Sequence, residues 1–377
     1  MKSKFFCLFS LLLTGGFLSA QMPGMMTMQQ ASVPQGTTLG ANTTSGAAGI
    51  ALGNRVVMRG YVDFVLQNGN LDHETSPPND SYAKNDSQFK TSSDVDFLFD
   101  LSPVTSELHL NANKTDGVGL EQVFARYSFN RDFNISFGRQ LTTLGFESDE
   151  PTGLLSTSYG YVTDALMVHP MYNNLRTKYI NEINNPLFTK DTRLRRNYVD
   201  GVRANFNNGR FGLSLGLHDG YWVDDDFNGD NIALDIAASI MIIPGLEARV
   251  GYAHQTIDTT LPEDEISQFN TWVSYKVGDL TLAFEYDNFD ILGSELWDVM
   301  LLGNYQMSNW FGLTLKYAHE DLEINNFKID SDRFSLALLF TLTDNFGLNL
   351  EYSHSEADYD SGDADADEIS LQGLLTF

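Results

Sequence analysis

Asp94-Val95-Asp96-Phe97-Leu98-Phe99-Asp100-Leu101 puts Val95, Phe97, Phe99 and Leu101 on one face of an extended chain and Asp94, Asp96 and Asp100 on the other. A helix would scatter these carboxylates around its surface, so the stretch reads as a β-strand with one greasy and one charged face. The same period of two recurs near 56–67, 93–102, 106–113, 120–130, 133–141, 198–206, 211–219, 232–242, 246–256, 266–277, 280–288, 295–306, 311–320, 331–342, 346–353 and 368–377. Each run is close to the ~9–11 residues with which a tilted strand crosses a bilayer.

The connections alternate in length. Ser102-Pro103-Val104-Thr105, Asn130-Arg131-Asp132, Asn207-Asn208-Gly209-Arg210, Ile243-Pro244-Gly245, Gly278-Asp279, Met307-Ser308-Asn309 and Thr343-Asp344-Asn345 are tight turns, and mostly longer acidic loops lie between them. Short periplasmic turns and long extracellular loops belong to a membrane barrel, whereas a soluble sandwich has no reason for that asymmetry. So many strands close around a space too wide for side chains to fill, which forces the apolar face outward and leaves the lumen wet. The expected fold is all-β, a transmembrane antiparallel β-barrel of about 16 strands with long acidic extracellular loops. Phe133, Phe211, Phe311 and Phe346 each follow a tight turn and would form one aromatic girdle with Phe377, while Tyr252, Tyr286, Trp297, Tyr317 and Tyr352 would lie nearer the other interface. Phe311-Gly-Leu-Thr-Leu-Lys-Tyr-Ala-His319 and Phe346-Gly-Leu-Asn-Leu-Glu-Tyr-Ser-His354 repeat one strand pattern in the same register.

Lys2 and Lys4 precede an apolar run from Phe5 to Leu13, and Leu18-Ser19-Ala20 offers a cleavage site, so residues 1–20 read as a signal peptide. Residues 21–54 are a low-complexity segment with no structural period, expected to be disordered. Residues 55–377 form the barrel domain. With 50 Asp+Glu against 23 Lys+Arg, the chain is a poor match for nucleic acid. Its one cysteine, Cys7, cannot form an intramolecular disulfide.

Strand parity assigns Arg59, Arg126, Arg203, Arg249, Lys276, Lys316 and Arg333 to the lumen. The same parity places Asp63, Asp94, Asp96, Asp100, Glu107, Asp235, Glu247, Glu285, Asp287, Asp298, Glu320 and Glu351 there. A lumen of mixed sign orients polar solutes and sets ion preference. Residues 142–197 contain no convincing strand and form the candidate constriction loop. Arg176, Lys178, Lys190, Arg193, Arg195 and Arg196 lie on it, and folded inward they would oppose Asp94, Asp96 and Asp100. An external loop contacting lipopolysaccharide phosphates is the other reading.

Asp224, Asp226 and Asn228 match the first half of a calcium loop, although Asp235 stands where the bidentate Glu belongs. The acid-rich run from Glu356 to Glu368 would share Ca²⁺ or Mg²⁺ with lipopolysaccharide. Beyond such loop-bound ions no cofactor is expected. The seven histidines are scattered, only His109 and His218 face the lumen, and no nucleophile, metalloprotease or phosphate-loop motif occurs, so no enzyme is expected.

Glu368-Ile-Ser-Leu-Gln-Gly-Leu-Leu-Thr-Phe377 resembles the terminal strand of outer-membrane barrels, and the resemblance implies that Phe377 is the signal read by the barrel-assembly machinery. Gly138-Arg-Gln-Leu-Thr-Thr-Leu-Gly-Phe-Glu147 is similar to the Gly-Lys-Phe-x-Thr-Pro-x-Gly-Tyr-Glu segment of OmpL-like and phosphate-selective-type porins, with Gln140 and Thr143 departing from it. Gly201-Val-Arg203 and His218-Asp-Gly-Tyr-Trp222 are similar to a further pair of motifs in that group. The resemblance implies passive diffusion of small hydrophilic solutes across the cell outer membrane, with outer-membrane lipid and lipopolysaccharide as surroundings. A non-conducting structural or adhesive barrel, whose acidic loops bind divalent cations or a surface partner, is the alternative. A homotrimer is compatible with the pattern, because lipid-facing and subunit-facing apolar residues look alike.

Overall fold

The strand Phe211–His218 is built inside out. Phe211, Leu213, Leu215 and Leu217 are 46, 45, 55 and 40% exposed, while the alternating Gly212, Ser214, Gly216 and His218 are buried. Leaving a large apolar side chain in water forfeits roughly 1.5–3 kcal/mol. Dozens of them on one face exceed the net stability of about 5–15 kcal/mol that a domain has to spare, so this face requires lipid.

The computed structural model describes residues 49–75, 82–114, 117–164, 194–223, 232–257, 264–324, 327–359 and 362–377. The expected signal peptide and most of the low-complexity segment lie outside the described residues. The chain forms β1 (Ile50–Ala51), β2 (Val56–Thr75), β3 (Tyr82–Leu101), β4 (Val104–Asn113), β5 (Gly117–Ser128) and β6 (Phe133–Leu141). After a long connection come β7 (Tyr198–Asn207), β8 (Phe211–His218), β9 (Ala233–Ile243), β10 (Leu246–Thr256), β11 (Glu265–Val277) and β12 (Leu280–Ile291). The last five are β13 (Ser294–Ser308), β14 (Phe311–Ile324), β15 (Phe327–Thr343), β16 (Phe346–Tyr359) and β17 (Gly362–Thr376).

Each strand from β2 to β17 pairs antiparallel with the next, and β17 returns to β2 from Gly362↔Thr75 to Thr376↔Tyr61. The sixteen-stranded barrel is therefore closed, and the two-residue β1 pairs with the start of β2. At the seam the Gly60 and Phe377 backbones exchange N–H···O bonds of 3.0 Å in both directions. A side chain at Gly60 would come within 2.1 Å of the Asp94 carbonyl oxygen, so only glycine admits this closure. Gly209, Gly245 and Gly278 take positive φ in the short turns.

Phe133, Phe211, Phe311 and Phe346 start β6, β8, β14 and β16 at the short-turn rim. Phe129 packs on Phe133, and Trp310 on Phe311 and Phe340. Toward the opposite rim the repeated pattern becomes repeated geometry: Tyr317 and Tyr352 donate to Asp332 and Asp367 at 2.6 Å, and His319 and His354 meet the same carboxylates at 3.1 and 3.0 Å.

Much of what reads as loop on this side is strand. β2 and β3 each run 20 residues, and β14 to β17 continue through acidic stretches to connections of two residues. The crowded carboxylates from Glu356 to Glu368 lie along the β16–β17 hairpin, because chain that rises past the bilayer can stay paired without apolar side chains.

Candidate functional site

The lumen is crossed by its own connection. After β6, residues 142–164 turn inward, and Leu194 to Asn197 lead back out to β7. The neck is closed by Thr142 N–H to the Asn197 carbonyl (2.8 Å) and Asn197 N–H to Thr142 Oγ1 (3.0 Å). Beyond it the loop meets the wall strand by strand. Thr143 Oγ1 donates to Asp235 on β9 (2.7 Å), Gly145 N–H to Asn270 on β11 (3.3 Å) and Phe146 N–H to Glu285 on β12 (2.6 Å). Lys316 on β14 donates to Glu147 (3.0 Å) and Ser156 (2.7 Å), and Thr157 N–H donates to Glu351 on β16 (2.6 Å). Of these wall partners the sequence reading names Asp235, Glu285, Lys316 and Glu351 but not Asn270; the loop supplies what they hold.

Arg195 is the centre of this anchorage. Its Nη2 donates to Asp298 on β13 and to Glu320 on β14 (3.2 Å), its Nη1 to Thr163 (3.0 Å), and Asp164 lies 3.4 Å from Nη1. The guanidinium sits 3.7 Å from the Tyr161 ring centroid and is fully buried. Burial pushes the Tyr161 hydroxyl well above the usual phenol range, so it remains a donor to Glu285 (3.2 Å). Arg196 donates from Nε to the Glu147 carbonyl (2.6 Å) and lies 3.5 Å from Asp164.

These contacts correct the expected pairing. Arg195 and Arg196 meet acids of the loop and of β13 and β14, not Asp94, Asp96 and Asp100. A buried guanidinium needs carboxylates at contact distance, and the loop reaches those on β13 and β14. Arg176, Lys178, Lys190 and Arg193 lie outside the described residues, as do Asp224, Asp226 and Asn228 of the candidate calcium loop.

On the other wall Asp96 is buried, 2.8 Å from His109 and 3.4 Å from Arg59. His109 also meets Glu107 (3.1 Å), which lies 3.6 Å from Arg126. Asp63 is buried beside Gln372 and Lys90, and Asp94 is 0% exposed. Asp100 is exposed at the short-turn rim, where its Oδ1 accepts from Ser102 N–H (3.1 Å). There the strand is leaving the lumen, which sets Asp100 apart from the expected constriction. Arg203 is buried and donates to the Leu141 carbonyl (2.9 Å), and Arg249 is buried 5.9 Å from the Trp272 ring centroid. Parity missed Glu121 on β5, which bonds Tyr198 (3.2 Å), and no site was read into Glu147, Asp149, Glu150 or Asp164.

An exterior that requires lipid, a polar interior and an inward-folded loop on a closed sixteen-stranded wall meet an independent finding. The outer membrane channel DcaP of Acinetobacter baumannii superposes with a TM-score of 0.59 over 88% of this chain and 100% of its own, at 14% identity. The chain has the fold of an outer-membrane porin. OprB of Pseudomonas putida shares that porin fold with a TM-score of 0.57 at 11% identity, over 85% of this chain and 94% of its own. An anion-selective porin from Comamonas acidovorans does so at 0.56 and 13% identity, over 85% and 99%. No family model and no curated protein matches the sequence, and the resemblance to the OmpL-like and phosphate-selective-type group has no further support.

Within the lumen, His109 and His218 are both held by carboxylates, but neither ring bonds a hydroxyl or thiol among the described residues. Thr143, the nearby hydroxyl, donates to Asp235 instead.

Proposed function

We propose that this chain is an outer-membrane porin, a passive and cofactor-free diffusion pore for small hydrophilic solutes and ions. The observation that carries this reading is the loop at residues 142–164, which crosses the interior on charged and hydroxyl side chains. A barrel serving only as an anchor gains nothing from a polar interior that has to be hydrated or ion-paired. Among the buried described side chains, carboxylates outnumber arginines and lysines by about two to one, and Arg195 and Arg196 are already paired. We therefore assign the pore a preference for cations. The selectivity of the Comamonas porin gives no guide at such low identity.

Liposomes carrying the refolded protein should swell in isotonic monosaccharide, more slowly in disaccharide, and not in a large dextran. Tight liposomes with inserted protein would instead favour the structural or adhesive barrel.

A second observation bears on assembly. Arg139 and Asp200 form a 2.8 Å ion pair on the outward face, flanked by exposed Phe137 and Val202. β6 to β8 are only 8 to 10 residues long, and the pair lies two residues inside the long-loop ends of β6 and β7, where charge facing lipid costs from about 1 kcal/mol near the interface up to roughly 2–4 kcal/mol at the midplane. A neighbouring copy of the chain covering this side would remove that penalty, which supports a homo-oligomer such as a trimer. Arg139→Leu should leave the barrel folded and shift native-gel bands toward monomer. An unchanged oligomer band would remove the pair from the interface. Phe377 we assign to barrel assembly: its deletion should lower the assembled fraction in cells while refolding in detergent persists.

A further inference from the structure

In one corner of the lumen carboxylates meet one another. Asp94 on β3, Glu121 on β5 and Glu150 on the internal loop bring oxygens within 4.8 Å of each other. Asp94 is 0% and Glu150 2% exposed. No hydrogen-bond donor among the described residues reaches either Asp94 oxygen or Oε1 of Glu150. The contrast with Asp96 is direct, since two residues further along the same strand it has His109 and Arg59.

The cluster is assembled by a specific backbone feature. The β4–β5 register shifts between His109↔Gln122 and Leu110↔Leu120, which leaves Glu121 unopposed in a β-bulge. A bulge re-aims one side chain, and here it brings a residue of outward parity in beside Asp94. The Tyr198 hydroxyl lies 3.2 Å from Glu121 and 2.5 Å from Asp149, so its one proton is shared between a carboxylate of the wall and one of the loop. A buried anion is tolerated only when paired or coordinated, and two of these three carboxylates have oxygens that no donor reaches.

We propose that Asp94, Glu121 and Glu150 bind one hard divalent cation, Ca²⁺ in preference to Mg²⁺, tying the internal loop to the barrel wall. The donors are all oxygen, which excludes a preference for soft metals. They come from three separate segments in irregular array, which the flexible coordination of Ca²⁺ accepts and the strict octahedron of Mg²⁺ does not. The site is distinct from the acidic rim hairpin, where Glu356, Asp358, Asp365 and Asp367 are exposed.

The test uses the full chain refolded in detergent and stripped with chelator. Terbium, standing in for Ca²⁺, is titrated while its emission is excited through tyrosine, for which Tyr198 is placed. One saturable site displaced by Ca²⁺ is expected, at least about tenfold weaker in Asp94→Asn and in Glu150→Gln. Glu356→Gln at the exposed rim should leave it unchanged. Glu150 lies on the loop, so its variant keeps the wall intact even where Asp94→Asn fails to fold. Equal affinity in wild type and Glu150→Gln would overturn the proposal. So would an infrared band of a protonated carboxylic acid that persists in saturating Ca²⁺, because the cluster would then be sharing a proton.

Discussion

Replacing Arg195 with methionine should raise single-channel conductance severalfold and strengthen the preference for cations. Among the described residues, Arg195 is the one side chain that touches Thr163 and Asp164 of the loop together with Asp298 and Glu320 of the wall. Its removal leaves those acids dry and facing each other, and breaking a buried ion pair from one side costs roughly 3–5 kcal/mol. Water is the cheapest relief, and it enters once the loop separates from β13 and β14. The same step exposes the carboxylates that the guanidinium had neutralised. Arg195→Lys should fall between the two, since an ammonium keeps the charge but cannot reach the wall acids and the loop's Thr163 and Asp164 together as the two arms of a planar fork do. Bilayer recordings of the two variants check this. Unchanged conductance in Arg195→Met would mean that the loop is held elsewhere.

The second large effect lies on the opposite face. Leu215, 55% exposed and paired across the sheet with Ile236, stands in the middle of β8 on the lipid side. Leu215→Arg should weaken folding into phospholipid vesicles by roughly 2–4 kcal/mol, read from denaturant titration of the folded fraction. On a soluble barrel the same change would replace an exposed apolar group with a solubilising one and cost nothing. Equal vesicle stability, or a variant that stays monodisperse without detergent, would contradict the inside-out assignment.

How much of this was legible in the sequence follows from what a period of two encodes. Parity is exact along an unbroken strand, so the segments 133–141 and 246–256 coincide with β6 and β10, and Arg59, Arg203 and Arg249, on the parity opposite the exposed apolar side chains, are buried in the structure. It fails at a bulge: Glu121 is out of phase by one residue, and nothing local in Leu120-Glu121-Gln122 announces this. Composition misled at the rim, where Asp and Glu between Glu356 and Glu368 look like loop yet continue the β16–β17 ladder. Cross-strand hydrogen bonds sustain such a hairpin without apolar side chains. The internal loop was recognisable by length and charge, but its partners were not. Which carboxylates Arg195 reaches depends on how residues 142–164 cross the lumen, and that path is set by backbone donors such as Gly145 and Phe146 that no pattern of side chains records.

The central claim is that water and ions pass beside this loop. Single-channel recording of the refolded wild-type chain in a planar bilayer, with the reversal potential measured under a KCl gradient, tests it directly. Stable open steps and a reversal potential displaced toward that of K⁺ are the predicted result. Inserted protein without conductance would contradict the porin assignment, and a displacement toward Cl⁻ would contradict the assignment of selectivity to the lumenal carboxylates.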